Sequence, residues 1–181
     1  MTPTPNNAQA TAESWDTDND FLLHGSVDRV SKILARYELF KRVMSLPGDV
    51  VEGGVLKGVG VLSWAKLIQL IKGDATRTIP EYLDRHPGFR VALLNLDFDA
   101  YDPTAVALER LYPRVVPGGV VLFDDYGIRE YGESDAVDAF FRGAPAVYQA
   151  LPWALSPRAY LIKPATASTS AADAEGRDAA L

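Results

Sequence analysis

Apolar residues recur through the first part of the chain at spacings of three and four, which is the period of an amphipathic helix. The pattern runs from Val27 to Met44 and stops before Pro47-Gly48, a pair that ends helices. The predicted stripe consists of Val27, Val30, Ile33, Leu34, Tyr37, Phe40 and Met44. We expect this helix to lie against a sheet or against a partner subunit.

Beyond Pro47 the apolar positions form short unbroken runs, and segments with helical spacing separate them. The predicted strands are the run from 49 to the glycines at 53–54, then 68–72, 89–96, 115–123 with a turn at 117–119, 147–151 and 158–162. The predicted helices are 59–67, 78–85 with Thr78 as its cap, 102–111 with Asp102 as its cap, and 134–141. Unbroken apolar strands that alternate with helices predict an α/β fold with helices on both faces of a mostly parallel sheet.

Composition indicates one soluble globular domain between two polar tails. The 181 residues are 48% hydrophobic and 23% charged, and the net charge of -6 lies in the tails, because residues 21–163 hold 17 acids and 17 bases. Residues 1–20 and 164–181 lack apolar periodicity, so we expect both tails to be disordered. The neutral domain 21–163 has no basic patch, and the sequence has no membrane span and no apolar core of a signal peptide. These features predict a cytoplasmic protein that binds neither nucleic acid nor membrane.

A glycine-rich turn follows the first predicted strand. Glu52 ends this strand, and Gly53, Gly54 and Gly58 lead into the next predicted helix. Glycine lets a ligand approach the backbone, and the start of a helix offers free N–H groups to an anion. The alternative is that these glycines only permit a tight turn. Their spacing does not match G-x-G-x-x-G, which disfavours a nicotinamide enzyme.

Four aspartates follow two strongly apolar strands. Asp97 and Asp99 come after the strand at 89–96, and Asp124 and Asp125 come after the strand at 115–123. The carboxyl ends of parallel strands meet at one edge of the sheet, where carboxylates repel each other unless a cation or protons neutralise them. With no cysteine and two histidines, oxygen ligands and a hard ion such as Mg²⁺ are favoured. The alternative is that these aspartates only cap a helix or hold turns.

One junction does not fit the α/β pattern. The helix at 59–67 runs into the strand at 68–72 without turn residues, although such connections normally take about 2–6 residues. We therefore expect a segment to be missing near Leu67.

Several motifs, in this order, resemble the macrocin O-methyltransferase family of class I S-adenosylmethionine-dependent methyltransferases. The motifs are 46–55 (LPGDVVEGGV) with Lys57-Gly58, 72–74 (KGD), 78–83 (TIPEYL), 96–104 (LDFDAYDPT), 111–114 (LYPR), 117–119 (PGG) and 124–127 (DDYG). The resemblance covers most of residues 21–163 and implies a Rossmann-like fold. It also implies transfer of a methyl group from S-adenosylmethionine, with Mg²⁺, to a hydroxyl of a sugar or glycosylated small molecule in natural-product biosynthesis.

The resemblance also implies roles for individual residues. Glu52, Gly54 and Gly58 would line the methionine end of S-adenosylmethionine, and Asp74 would lie near the adenine. The family's metal-binding acids match Asp97, Asp124 and Asp125, and Asp97 or Asp99 would accept the proton of the substrate hydroxyl.

Two alternatives remain open. The family's second strand ends in an acid that holds the cofactor ribose, and this strand has no counterpart near Leu67, so cofactor binding could be lost. The chain could be a degenerate, non-catalytic Rossmann-like protein, or a metal hydrolase built on the acid cluster.

Among the other polar and aromatic residues, Arg36 and His24 are weaker candidates for the site, His86 is expected at the surface, and Tyr37, Tyr126 and Trp153 are expected mainly to pack. The apolar first helix also suggests a homo-oligomer.

Overall fold

The computed structural model describes residues 24–54, 71–143 and 146–165, which form a four-stranded sheet with helices on both faces. The elements are α1 (Val27–Val43), β1 (Asp49–Glu52), α2 (Ala75–Arg85), β2 (Val91–Leu96), α3 (Tyr101–Leu111), a 3₁₀ turn (Tyr112–Arg114), β3 (Val115–Phe123), α4 (Glu133–Phe140) and β4 (Ala159–Ile162).

The strand order β1-β2-β3-β4 places the ends of three parallel strands at one edge of the sheet. β1, β2 and β3 are parallel, whereas β4 pairs antiparallel with β3. The predicted turn at 117–119 lies inside β3 as an irregularity: Val91 pairs with Val115, but Leu93 pairs with Val120. The α/β class and the mostly parallel sheet are therefore confirmed, and the residues that follow β1, β2 and β3 are neighbours.

Side chains alternate between the two faces of the sheet and form two apolar clusters. On one face Leu39 and Val43 of α1 pack against Ala92, Leu93, Val120, Leu122 and Tyr160. On the other face Leu94, Leu96, Val121 and Phe123 pack against α3 and α4 through Ala107, Leu108 and Val137. Strands buried on both faces explain why β2 and β3 are unbroken apolar runs.

α1 lies where the sequence predicted it, but most of its apolar stripe does not pack against the sheet, and packing of the stripe against a partner subunit stays a prediction. Ser31, Ala35, Arg36, Leu39 and Val43 are its buried residues. Much of the predicted stripe faces outward instead: Val27, Leu34, Tyr37 and Met44 are exposed. The buried face carries two basic side chains, Lys32 and Arg36, which an apolar count ignores. Their partners come from the sheet and are described below.

Several predicted boundaries also need correction. The helix predicted to begin at Thr78 begins at Ala75, and Asp74 caps it by accepting from the Thr76 N–H at 2.9 Å. The helix predicted to be capped by Asp102 begins at Tyr101, so Asp102 lies in its first turn. The strand predicted at 147–151 is a single bridge between Gln149 and Tyr160.

Several predictions fall outside the described residues. These are the tail 1–20, most of the tail 164–181, the helix at 59–67, most of the strand at 68–72, and the junction near Leu67. Among the residues that are described, no helix is long and apolar enough to cross a bilayer.

Candidate functional site

Two cations on α1 reach the acidic ends of the strands. Lys32 and Arg36 are one helical turn apart, so both project from the same face of α1 toward the sheet. The Nζ atom of Lys32 lies 2.8 Å from Oδ2 of Asp97 and 2.6 Å from Oδ2 of Asp124. Burial lowers the pKa of Lys32, but the charges and hydrogen bonds of Asp124 and Asp97 outweigh it and raise this pKa above its ordinary value. The lysine is therefore an ammonium ion.

Arg36 connects the ends of β1 and β2. Its Nη2 atom lies 2.8 Å from Oε1 of Glu52 and 3.2 Å from Oδ2 of Asp97. The side chains of Arg36 and Glu52 are both more than nine-tenths buried, and Asn95 Nδ2 also donates to Oε1 of Glu52 at 3.2 Å. A buried carboxylate needs such partners, because burial in a low-dielectric interior strongly disfavours an uncompensated charge.

A group of three carboxylates lies beside this pair of cations. Asp97, Asp99 and Asp125 each place one oxygen within 4.8 Å of the others. Asp99 adopts a left-handed backbone conformation, with φ +61, which is uncommon for a residue other than glycine. A hydrogen bond from the backbone N–H of Gly132 to the Asp99 carbonyl, 2.9 Å long, holds this loop in place.

These carboxylates repel one another, and their pKa values reflect it. Burial, a hydrogen bond with Asp99 and the charge of Asp124 raise the pKa of Asp125 to about 7. Burial and the charge of Asp124 raise the pKa of Asp97 as well, although Lys32 and Arg36 oppose this change. Oδ2 of Asp125 is buried and makes no hydrogen bond within the described part of the chain.

Glu133 lies beneath this group and was not singled out from the sequence. Its side chain is fully buried, and its Oε1 accepts a hydrogen bond of 3.0 Å from the backbone N–H of Asp125. Burial and the charges of Asp125 and Asp124 raise the pKa of Glu133 to about 8, although the Asp125 N–H opposes the change. Glu133 therefore fixes the backbone of Asp125 from the first turn of α4.

The glycines after β1 are close to the chain itself. A Cβ atom at Gly53 would overlap the ring of Phe98, and one at Gly54, where φ is +82, would overlap the carbonyl of Asp97. The loop after β2 therefore lies directly against the loop after β1. This contact requires glycine at position 54, whereas at position 53 the end of the Phe98 ring could move aside. Gly58, the third predicted cofactor residue in this loop, lies outside the described residues.

Asp74 lies apart from the strand ends, at the start of α2. It is exposed, and its Oδ1 accepts hydrogen bonds from the backbone N–H and the Oγ1 of Thr76. These bonds hold the pKa of Asp74 below its usual range. A groove of about 230 Å³ runs along this end of α2, lined by Lys72, Gly73, Asp74, Arg77, Thr78 and Glu81.

The weaker candidates are spread over the surface and the core. His86 is exposed, as expected, and stacks on Tyr82 with ring centroids 4.1 Å apart. Tyr126 is half-buried, and its hydroxyl donates to Oδ1 of Asp138 at 2.7 Å. Tyr37 and Trp153, which were expected to pack, are exposed, and His24 is exposed at the start of α1.

Lys32, Asn95 and Glu133 are the site residues that the sequence interpretation missed. One signal could have found Lys32: Lys32, Arg36, Leu39 and Val43 follow helical spacing, which defines a second face beside the apolar stripe. Asn95 is the one polar residue inside the apolar run of β2. Glu133 has no local signal, because its burial depends on the packing of α4 under the loop after β3.

The residues present fit a divalent cation. Asp97, Asp99 and Asp125 supply hard oxygen ligands within 4.8 Å of one another, and among the described residues the buried Asp125 Oδ2 has no hydrogen-bond partner that would compete with a metal ion. The sequence prediction that these acids converge is thereby confirmed. Asp124 is not in this group of three: it shares Lys32 with Asp97, and its Oδ1 accepts from the hydroxyl of Ser156.

Two solved structures share the fold of this chain. CalS11, a TDP-rhamnose 3'-O-methyltransferase from calicheamicin biosynthesis, superimposes with a TM-score of 0.72 at 20% identity, over 90% of this chain and 96% of CalS11. The O-methyltransferase NovP superimposes with a TM-score of 0.55 at 17% identity, over 75% of this chain and 81% of NovP. At this level of identity the similarity shows the fold.

The sequence comparisons match parts of the chain to O-methyltransferases. The family model for macrocin-O-methyltransferases (TylF) matches residues 65–151, which confirms over that segment the resemblance inferred from the motifs. A relative from Streptomyces olivaceus, 8-demethyl-8-(2,3-dimethoxy-alpha-L-rhamnosyl)-tetracenomycin-C 4'-O-methyltransferase, is 46% identical over 59 residues. These residues are 30% of this chain and 23% of the relative, so the match spans less than a quarter of the relative's length.

Proposed function

We propose that this protein is an S-adenosylmethionine-dependent, Mg²⁺-assisted O-methyltransferase that acts on a hydroxyl of a sugar or of a glycosylated small molecule in natural-product biosynthesis. The observation that carries the proposal is the convergence of Asp97, Asp99 and Asp125 at the carboxyl edge of a parallel sheet. The match to macrocin-O-methyltransferases and the sugar substrates named for CalS11 and for the S. olivaceus relative support the substrate class.

In this proposal the cofactor and the cation are held by different residues. Glu52 and Gly54, with Gly58 and Asp74, would hold S-adenosylmethionine, and Asp97, Asp124 and Asp125 would hold Mg²⁺. When bound, the cofactor supplies an electrophilic methyl group, and the cation supplies positive charge that lowers the pKa of a nearby hydroxyl.

The proton of the substrate hydroxyl then needs an acceptor on the protein. Asp99 is exposed at the edge of the cluster, which makes it accessible to a substrate, whereas Asp97 and Asp125 are more buried. Its left-handed backbone and the hydrogen bond from Gly132 fix the direction of this loop. We assign Asp99 as the proton acceptor, with Asp97 as the alternative.

The experiment that tests this proposal is an assay of methyl transfer with S-adenosylmethionine, Mg²⁺ and a panel of TDP-sugars and rhamnosylated glycosides. S-adenosylhomocysteine and the methylated product are measured by mass spectrometry. We expect turnover by the wild type and a loss of about 10²–10⁴-fold in Asp99→Asn, the range typical for removal of a general base. Asp102→Asn is the matched control, because Asp102 is an exposed acid in the first turn of α3.

The alternative, a degenerate protein without cofactor binding, is favoured by the close packing of Gly53 and Gly54 against the loop after β2. Isothermal titration with S-adenosylhomocysteine separates the two. Binding supports the enzyme, and the absence of heat at millimolar ligand together with the absence of turnover would contradict the proposed function.

The outward face of α1 supports a homodimer. Val27, Leu34, Tyr37 and Met44 are exposed and follow a spacing of seven, three and seven, which makes a continuous apolar seam. Asp28 lies in the first turn and Lys41 and Arg42 in the last, so two antiparallel copies of α1 would place acidic and basic ends together. We expect Leu34→Glu to shift the mass measured by light scattering from dimer to monomer, whereas Ser45→Glu, just beyond the helix, would leave it unchanged.

A further inference from the structure

A lysine side chain stands between two carboxylates that belong to the proposed metal site. Nζ of Lys32 lies within 2.8 Å of Oδ2 of both Asp97 and Asp124, and these two oxygens come from neighbouring strands. The lysine side chain is 17% exposed, so part of it is in contact with solvent.

The ammonium position overlaps with the position of a metal ion that those two oxygens could share. Mg²⁺ binds carboxylate oxygens at about 2.0–2.1 Å, so an ion held by both Oδ2 atoms would lie in the space that Nζ occupies. Two positive charges at this separation repel strongly in a half-buried site. Both cations cannot be bound to the same two oxygens at once.

We propose that the Lys32 ammonium and a divalent cation compete for the Asp97–Asp124 carboxylate pair, so that Lys32 neutralises the site without metal and leaves when the metal binds. The inference rests on the metal site of the proposed function.

The side chain of Lys32 can move away from the two carboxylates, whereas that of its neighbour Arg36 is held in place. A lysine carries a single compact charge on a flexible stem, whereas the planar guanidinium of Arg36 is more than nine-tenths buried and bridges Glu52 and Asp97. Arg36 therefore stays with Glu52 in either state. Lys32 can turn toward solvent and release both Oδ2 atoms. The apparent affinity for metal is then the intrinsic affinity multiplied by the fraction of molecules in which Lys32 does not occupy the site.

The test is isothermal titration of Mg²⁺ and of Mn²⁺ into the full chain, without cofactor or substrate. If Lys32 occupies the pair in nine molecules of ten, Lys32→Met binds the metal about tenfold more tightly than the wild type. Lys32→Gln, which retains a hydrogen-bond donor without the charge, covers the case in which Lys32→Met does not fold. Lys41→Met is the matched control, because Lys41 pairs with Glu38 on the exposed side of the same helix.

Thermal unfolding gives a second reading. With EDTA present, Lys32→Met loses the cation that separates two carboxylates, so its Tm falls, and saturating Mg²⁺ raises the Tm of the variant by more than it raises that of the wild type. Equal or weaker metal affinity in both Lys32 variants would overturn the proposal, and so would the absence of metal binding in every protein.

The two hypotheses fail separately. Tighter metal binding by Lys32→Met without methyl transfer by the wild type would contradict only the proposed function. Methyl transfer by the wild type with unchanged metal affinity in both Lys32 variants would contradict only the competition.

Discussion

The two sides of the proposed site differ in the contacts that their acidic residues and glycines make within the protein. On the side assigned to the cofactor, Glu52 pairs with Arg36, Gly54 contacts the backbone of Asp97, and Asp74 caps α2. On the side assigned to the cation, carboxylates from two strands crowd together, and the buried Asp125 Oδ2 has no hydrogen bond within the described ranges.

This difference shows which residues the fold itself requires. Helix capping, loop contact and a buried ion pair explain the residue types at 52, 54 and 74 without a ligand. Asp97 pairs with Lys32 and Arg36, but within the described residues no such ion pair explains the acids at 99 and 125, whose repulsion of their neighbours costs stability. The cation side therefore supplies the stronger argument for chemistry. The cofactor side combines a structural role with the proposed binding role, and mutation can separate the two.

The largest expected effect comes from breaking the buried pair on the cofactor side. Arg36→Met leaves Glu52 more than nine-tenths buried without its guanidinium partner. Loss of one partner from a buried pair costs about 3–5 kcal/mol, and we expect the free energy of unfolding in urea to fall by this amount. The effect on Asp97 adds to it, because Arg36 also contacts that residue.

A double variant provides the control. Arg36→Met with Glu52→Gln removes the uncompensated charge, so it should recover a large part of the lost stability. If the double variant is no more stable than Arg36→Met alone, Glu52 is not the reason that Arg36 is needed, and the buried pair does not explain the acid at position 52.

On the cation side the expected effect is a dependence of stability on pH. The pKa of Glu133 is raised in the folded state from 4.5 to about 8, so the folded protein holds a proton that the unfolded chain releases. Stability is therefore fully present below pH 4.5 and is lost as the pH rises toward 8. The slope from this group is about 1 kcal/mol per pH unit between these limits.

Glu133→Gln isolates this contribution. Glutamine keeps an oxygen that can accept from the Asp125 N–H but does not titrate, so its free energy of unfolding should fall less steeply between pH 5.5 and 7.5 than that of the wild type. Urea titrations in EDTA at three pH values measure the two slopes. Parallel slopes would show that Glu133 is ionised in the folded protein over this range.

The sequence was sufficient to predict elements whose signal is local. Unbroken apolar runs located β2 and β3, and the parallel pairing then required Asp97 and Asp124 to be neighbours. Helical spacing located α1 but did not show which face packs against the sheet, because Lys32 and Arg36 become favourable inside only when the acids of three strands surround them. Apolar periodicity alone carries no information about such partners.

The same limitation explains the capping errors and the missed Glu133. Thr78 and Asp102 are good capping residues, but a helix begins where its packing allows, and α2 and α3 begin earlier, at Ala75 and Tyr101. The burial of Glu133 depends on how α4 lies under the loop after β3. That is a long-range contact, which a local pattern does not encode.

The smallest expected effect concerns Asp74, whose two proposed roles predict different outcomes. As the cap of α2, it accepts hydrogen bonds from Thr76, and Asp74→Ala should lower the free energy of unfolding. Asp74→Ser preserves a cap and removes the charge, so it should retain most of the stability. If Asp74 also lies near the cofactor, both variants should bind S-adenosylhomocysteine more weakly in isothermal titration. Equal affinity in Asp74→Ser and the wild type would leave Asp74 with the capping role alone.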